Sequence, residues 1–132
     1  MRMLSLLSDI MGEMIFIVDD DQAVRHSLIL LLASEGLESR GFASPEEFLD
    51  GCRPSNDDRL IVDVDLPGMN GIELLQRLRA DGLSPRAVVI TGQPSTFVRQ
   101  QALAAGAMAF LEKPVDADQL VALVRDGKAA AP

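Results

Sequence analysis

The sequence predicts an α/β domain: a doubly wound, five-stranded parallel sheet with helices on both faces. Three observations predict it. Short continuous apolar runs, as a strand buried on both faces requires, alternate with longer segments whose apolar residues recur at helical spacing. No internal repeat or low-complexity stretch interrupts the alternation. The chain has 132 residues, 48% of them hydrophobic, which suits a single core. Such a pattern places helices against a parallel sheet, and right-handed crossovers wind them onto both of its faces.

Residues 1–13, "MRMLSLLSDIMGE", read as an N-terminal extension. Ser5, Ser8 and Asp9 interrupt its apolar patch and no small-residue cleavage site follows, so it is a poor signal peptide. Leu4, Leu7, Met11 and Met14 recur at roughly helical spacing. The segment is expected to be a short amphipathic helix or a flexible lead into a domain spanning residues 14–128, with 129–132 as a tail.

"MIFIV" (Met14 to Val18) is the first buried strand. Val24, Leu28, Leu31 and Leu32 then share one helix face, and Gly36 ends that helix. "ESRGF" (Glu38 to Phe42) is a weak, polar strand suited to an edge. Ser44 caps the next helix, Pro45 suits its first position and Glu47 completes a capping box; the helix runs to about Cys52. "LIVDV" (Leu60 to Val64) is a third strand, followed by the turn-rich loop "DLPGMNG". Asn70 and Glu73 cap the helix carrying Ile72, Leu75 and Leu78. "AVVIT" (Ala87 to Thr91) is a fourth strand, broken by Gly92 and Pro94. Ser95 to Ala105 is helical, "AMAFLE" (Ala107 to Glu112) is the last strand, and Asp116 caps a final helix with Gln119 closing the box.

Chemistry gathers at the carboxyl ends of these strands, where ligands bind in open α/β sheets. The first strand ends in Asp19 and Asp20, the third in Asp63, the fourth in Thr91, and the fifth in Glu112, Lys113 and Pro114. A single aspartate there would be polar only because it faces water. Three aspartates, a hydroxyl and a lysine together make a cation site beside a phosphoryl site. Mg²⁺ takes carboxylate oxygens, waters and phosphate oxygens, and a dication removes the repulsion among neighbouring aspartates. A carboxylate beside it is a nucleophile towards phosphorus, and Lys113 and Thr91 supply donors to the transferring group.

Charge and composition narrow the class further. The net charge of −8 argues against direct nucleic-acid or membrane binding by this chain. No apolar run approaches the roughly 20 residues needed to span a bilayer. Cys52, the single cysteine, reads as a small, partly buried helix residue and suits a reducing cytoplasm.

"VDDD", "VDVDLPGMNG", "VVITG" and "FLEKPV" resemble the receiver domain of two-component response regulators, the CheY-like superfamily. The resemblance runs from about Met14 to Gly127, and "EEFL" with "FLEKP" look most like the branch joined to LuxR-type output domains. It implies the flavodoxin-like strand order 2-1-3-4-5. It implies that Asp63 is the phosphoacceptor and that Asp19, Asp20, Asp63 and the backbone carbonyl of Asp65 hold Mg²⁺ or Mn²⁺. Thr91 matches the switch hydroxyl, Lys113 the phosphate-binding lysine and Phe110 the switch aromatic. The Lys113–Pro114 bond matches a cis peptide. Asp65 and Gln93 flank the route of hydrolytic water and would tune phosphoryl lifetime. Asp21 reads as a surface charge or helix cap.

The implied partners are a histidine kinase or phosphotransfer protein, and a target protein or second copy on the face of the last two helices and last strand. The domain would promote only its own phosphorylation and dephosphorylation, so it is not an enzyme in the usual sense. A carboxylate at Asp65 and the loop "GQPSTF" depart from the usual pattern. The chain ends at "KAAAP", so a stand-alone receiver is expected, with the receiver part of a DNA-binding transcriptional regulator as the alternative. His26, the only histidine, is expected to face solvent. "VDVDL" also resembles the nucleophile motif of haloacid-dehalogenase-type phosphohydrolases, but there the motif ends the first strand and the metal-binding acids come late. A flavodoxin is disfavoured because no Ser/Thr/Gly-rich phosphate loop follows the first strand.

Overall fold

The computed structural model describes residues 14–126. The readings of residues 1–13 and of the tail 129–132 lie outside the described residues. Among the described residues, five strands alternate with five helices: β1 (Ile15–Val18), α1 (Gln22–Ser34), β2 (Ser39–Phe42), α2 (Pro45–Gly51), β3 (Arg59–Asp63), α3 (Gly71–Ala80), β4 (Arg86–Thr91), α4 (Thr96–Ala104), β5 (Ala109–Glu112) and α5 (Ala117–Asp126). The strands pair in parallel in the order β2-β1-β3-β4-β5.

Alternation along the strands divides the core into two layers. Phe16, Val18, Leu60, Val62 and Val89 pack against Phe48 of α2, Leu74 and Leu78 of α3 and Ala102 of α4. Ile15, Ile17, Ile61, Val88 and Ile90 pack on the opposite face against Leu32 of α1 and Leu120 and Leu123 of α5. Burial on both faces is why these strands are apolar at every position rather than every second one. The two edge strands, β2 and β5, are the exceptions: their burial is uneven. Phe16, Phe42 and Phe48 cluster with ring centroids 5.2–6.2 Å apart and anchor β2 and α2 to β1.

Caps decide where the helices begin. The Asp21 carboxylate accepts from the Ala23 and Val24 amides at the start of α1. Asn70 and Glu73 exchange reciprocal hydrogen bonds at the start of α3. At α2 the expected capping box is altered: Ser44 accepts from the Glu47 amide, but the Glu47 carboxylate reaches the Ala43 amide instead of that of Ser44. Asp116 accepts from the Gln119 amide before α5.

β5 starts two residues later than expected, at Ala109. The Ala107 amide closes the end of α4 by donating to Ala102 O, with Gly106 at φ +98° beside it. That amide is therefore unavailable to the sheet, and pairing resumes beyond it. β1, β2 and β4 differ from their expected limits by one residue at the start, and β3 by one residue at each end.

The chain crosses from one half of the sheet to the other between β1 and β3. The crevice beyond their carboxyl ends is the topological switch point, and it positions the site.

Candidate functional site

β1 and β3 run in register side by side, Val18 against Val62, so the residues that follow emerge together. Asp19 is 5% exposed and Asp63 3% exposed, while Asp20 lies in solvent. One carboxylate oxygen from each of Asp19, Asp20 and Asp63 falls within 4.8 Å of the others. All three are hard oxygen donors, the set a divalent cation of the Mg²⁺ type takes, and the cluster fits such an ion. Burial, with the charges of Asp63 and Asp20, raises the Asp19 carboxyl above its ordinary 3.8, against the opposing effects of the Asp21 amide and Lys113.

The backbone and α1 hold these carboxylates. Asp19 Oδ1 accepts from the Asp21 amide at 2.9 Å, and Arg25 of α1 donates to the Asp19 carbonyl at 2.7 Å. Asp63 Oδ1 accepts from the Asp65 amide at 2.8 Å. Lys113 Nζ reaches Asp63 Oδ2 at 2.7 Å. Burial lowers the lysine's proton affinity, but the hydrogen bond to Asp63 and the charges of Asp63, Asp19 and Asp65 outweigh it and raise it above its ordinary 10.5. The Lys113–Pro114 peptide is cis.

Below this polar mouth lies an apolar cavity of about 210 Å³, floored by Ile17, Ile61 and Ile90 and walled by Val24 and Leu28.

Thr91 ends β4 with no exposed surface. Its hydroxyl donates to the Asp65 carboxylate at 3.1–3.2 Å and accepts from the Gln93 amide at 3.0 Å. The Gly92 amide donates to the same carboxylate at 2.9 Å. Phe110, two residues before Glu112 on β5, is half-buried against the α2–α3–α4 layer. It borders a depression of about 250 Å³ with Pro94, Thr96 and Arg99.

The structure therefore brings Asp19, Asp20, Asp63, Asp65 and Lys113 to one mouth, with Thr91 tied to it through Asp65. Phe110 lies one strand away from Thr91, and Gln93 touches the Thr91 hydroxyl through its amide alone. His26 is exposed on α1. Two contacts were missed at the level of sequence: the Arg25 bond to Asp19 O and the hold of the Asp65 side chain on Thr91 and Gly92. The first had a signal, an arginine one turn into the helix after the acidic pair. The second had none, because Asp65 and Thr91 are 26 residues apart.

The sequence profile of the response regulator receiver domain matches residues 15–125. The chain belongs to the response regulator receiver domain family. Receiver domains are signalling modules of two-component systems. The receiver is 40% identical over 111 residues to the transcriptional regulatory protein FixJ of Azorhizobium caulinodans, covering 84% of this chain and 53% of that protein. It spans about half the length of that relative. Among solved structures it is similar to FixJ-N, with a TM-score of 0.74, 30% identity and 90% and 97% of the two chains covered. It is also similar to the CheY-like receiver of Methanospirillum hungatei, with a TM-score of 0.77, 30% identity and 86% and 91% covered. Among the described residues no helix is long and apolar enough to cross a membrane.

Proposed function

We propose that this receiver accepts a phosphoryl group on Asp63 and converts the added charge into a change of its α4-β5-α5 face. The observation that carries the reading is the Lys113 Nζ–Asp63 Oδ2 contact of 2.7 Å inside the cluster of Asp19, Asp20 and Asp63. It sets a buried carboxylate, a cation and ligands for a second cation in one place.

An Asp63 oxygen attacks the phosphorus of a phosphohistidine on a partner kinase or phosphotransfer protein. The P–O bond forms as the P–N bond breaks, and the bonding pair leaves with the imidazole, which carries one proton away. Asp19, Asp20, Asp63 and the Asp65 carbonyl would hold Mg²⁺ or Mn²⁺. A bound dication offsets the clustered carboxylates and takes up negative charge on the transferring group. Lys113 donates to the phosphoryl oxygens, as positively charged donors do in phosphoryl transfer. The phosphoryl group brings a charge of roughly −1.5 to −2 and new acceptor oxygens. Thr91 turns to meet them, and Phe110 fills the space beside β4. Asp65 and Gln93 border the approach of water and so set how long the phosphoryl group lasts.

Intact mass after incubation with Mg²⁺ and a small acyl phosphate tests this. One phosphoryl group should add to the protein, and none to Asp63→Asn or without Mg²⁺. No addition to the wild-type protein under these conditions overturns the reading. A second reading concerns output: the match covers only 53% of FixJ, a transcriptional regulatory protein, which favours a role as the receiver part of a DNA-binding regulator. Otherwise the α4-β5-α5 face would bind a separate target or a second copy.

A further inference from the structure

Four hydrogen-bond donors surround the end of β3: the Asp65 amide, the Lys113 ammonium, the Thr91 hydroxyl and the Gly92 amide. The first two point at Asp63. The other two point at the Asp65 carboxylate, from Thr91 at 3.1–3.2 Å and from Gly92 at 2.9 Å. Asp65 is thus held at both ends: its amide serves Asp63 and its carboxylate serves the start of the β4–α4 loop. A turn-capping aspartate satisfies donors two or three residues away. This one reaches donors 26 and 27 residues away in sequence, on a different strand and loop.

We propose that the Asp65 carboxylate is a built-in competitor of the phosphoryl group, occupying in the resting protein the Thr91 and Gly92 donors that an anion on Asp63 must take, and so setting the rate of phosphoryl acceptance and the resting position of the switch. This rests on the reading of Asp63 as phosphoacceptor. The chemistry of the two acceptors is alike: each is an oxyanion that takes hydrogen bonds from a hydroxyl and a backbone amide. Only one can hold both donors.

Asp65 is exposed and Thr91 fully buried, and this asymmetry makes the exchange feasible. A displaced Asp65 carboxylate recovers its hydrogen bonds from water. A buried Thr91 hydroxyl left without an acceptor has no such recourse. The phosphoryl group, with more charge and more acceptor oxygens, therefore wins the donors once it is in place. Before then, Asp65 adds a negative charge to a mouth already lined by Asp19, Asp20 and Asp63, and opposes the approach of an anionic phosphodonor. Lys113 and Asp65 both lie beside Gly92: a Cβ there would be 3.6 Å from the lysine Cδ and 3.8 Å from Asp65 Oδ2. Asp65 acts through Thr91 and Gly92 and is a positioning residue.

The test is the rate of phosphoryl incorporation, read by intact mass with Mg²⁺ and a small acyl phosphate. The proteins are the wild type, Asp65→Ala, Asp65→Asn, Thr91→Val and the Asp65→Ala/Thr91→Val pair. Freeing donors held by a charged acceptor should accelerate Asp65→Ala about tenfold. Asp65→Asn keeps an acceptor oxygen without the charge and should fall between it and wild type. In the Thr91→Val background the acceleration should shrink to less than about threefold, because the contested hydroxyl is gone. Asp65→Ala no faster than wild type, or equally accelerated with and without Thr91, overturns the proposal. If Asp65→Ala fails to fold, Asp65→Asn decides: faster than wild type supports the competitor, unchanged or slower overturns it. Incorporation into wild type with no response to Asp65 sinks this proposal alone. No incorporation into wild type sinks the phosphoacceptor reading as well.

Discussion

Gly71 opens α3 against the backbone of Asp63, and Gly71→Ala tests whether that approach matters. A Cβ there would lie 2.6 Å from the Asp63 carbonyl oxygen, 2.9 Å from Val62 Cγ2 and 3.1 Å from the Asp63 carbonyl carbon. The first distance is 0.8 Å short of the 3.4 Å at which ordinary contact begins. Two of the three atoms belong to the backbone of a central strand, so no side-chain rotation relieves the clash. Either the start of α3 lifts away, weakening the seat of Ile72 and Leu75 in the core, or β3 shifts at Asp63. Overpacking of this kind costs about 1–3 kcal/mol. The alanine recovers about 0.4–1 kcal/mol by restricting the unfolded chain. The net loss is about 1–2 kcal/mol, a fall in Tm of roughly 4–8 °C for a domain of this size. Gly51→Ala is the control: its Cβ would meet Phe42 Cε2 at an ordinary 3.6 Å, so it should be neutral or stabilise by up to about 1 kcal/mol. With no Trp or Tyr in the chain, far-UV circular dichroism is the suitable signal for thermal and urea denaturation. Equal stability of the two variants would refute the close-approach reasoning.

Three further outcomes follow from the charges. Asp19 is raised above 3.8 by burial and by Asp63 and Asp20, so its ionised form destabilises the fold; metal-free Asp19→Asn should be more stable than wild type at pH 7. That advantage should fade as pH falls through the raised Asp19 value towards 3.8, and urea titrations at a series of pH values without divalent ions check it. Burial lowers the Lys113 pKa, but Asp63, Asp19 and Asp65 raise it to above 10.5 overall. Its contribution is complete below 10.5 and lost as pH rises through the higher folded value. Lys113→Met should therefore cost about 1–2 kcal/mol at pH 7 and flatten the alkaline limb of the stability profile. Burial raises the Cys52 thiol above 9.0, opposed by Arg40 and aided by Asp58; the midpoint of the alkylation rate against pH should lie above 9.0 for the native protein and fall back to the ordinary thiol value in urea.

The alternation of elements was legible in the residues, because burial on both sheet faces demands unbroken apolar runs such as Ile15 to Val18 and Arg59-flanked Leu60 to Val62. So were the residues at the strand ends, since a parallel sheet aligns every carboxyl end on one edge and thereby groups Asp19, Asp20, Asp63, Thr91 and Lys113. Local caps were equally legible at Asp21 and Asn70, where donor and acceptor lie within three residues. The start of β5 was not, because whether the Ala107 amide closes α4 or pairs with a strand is a competition between two geometries. Nor was the need for glycine at position 71, which arises only where a helix start meets the backbone of Asp63. What Asp65 touches is set by the packing of the folded chain. Position relative to Asp63 follows from chain order, but a side-chain hydrogen bond to Thr91 and Gly92 depends on how two loops from neighbouring strands fall against each other. A hydrogen bond needs its atoms placed to a few tenths of an ångström, and residue spacing along a chain carries no such information across 26 positions.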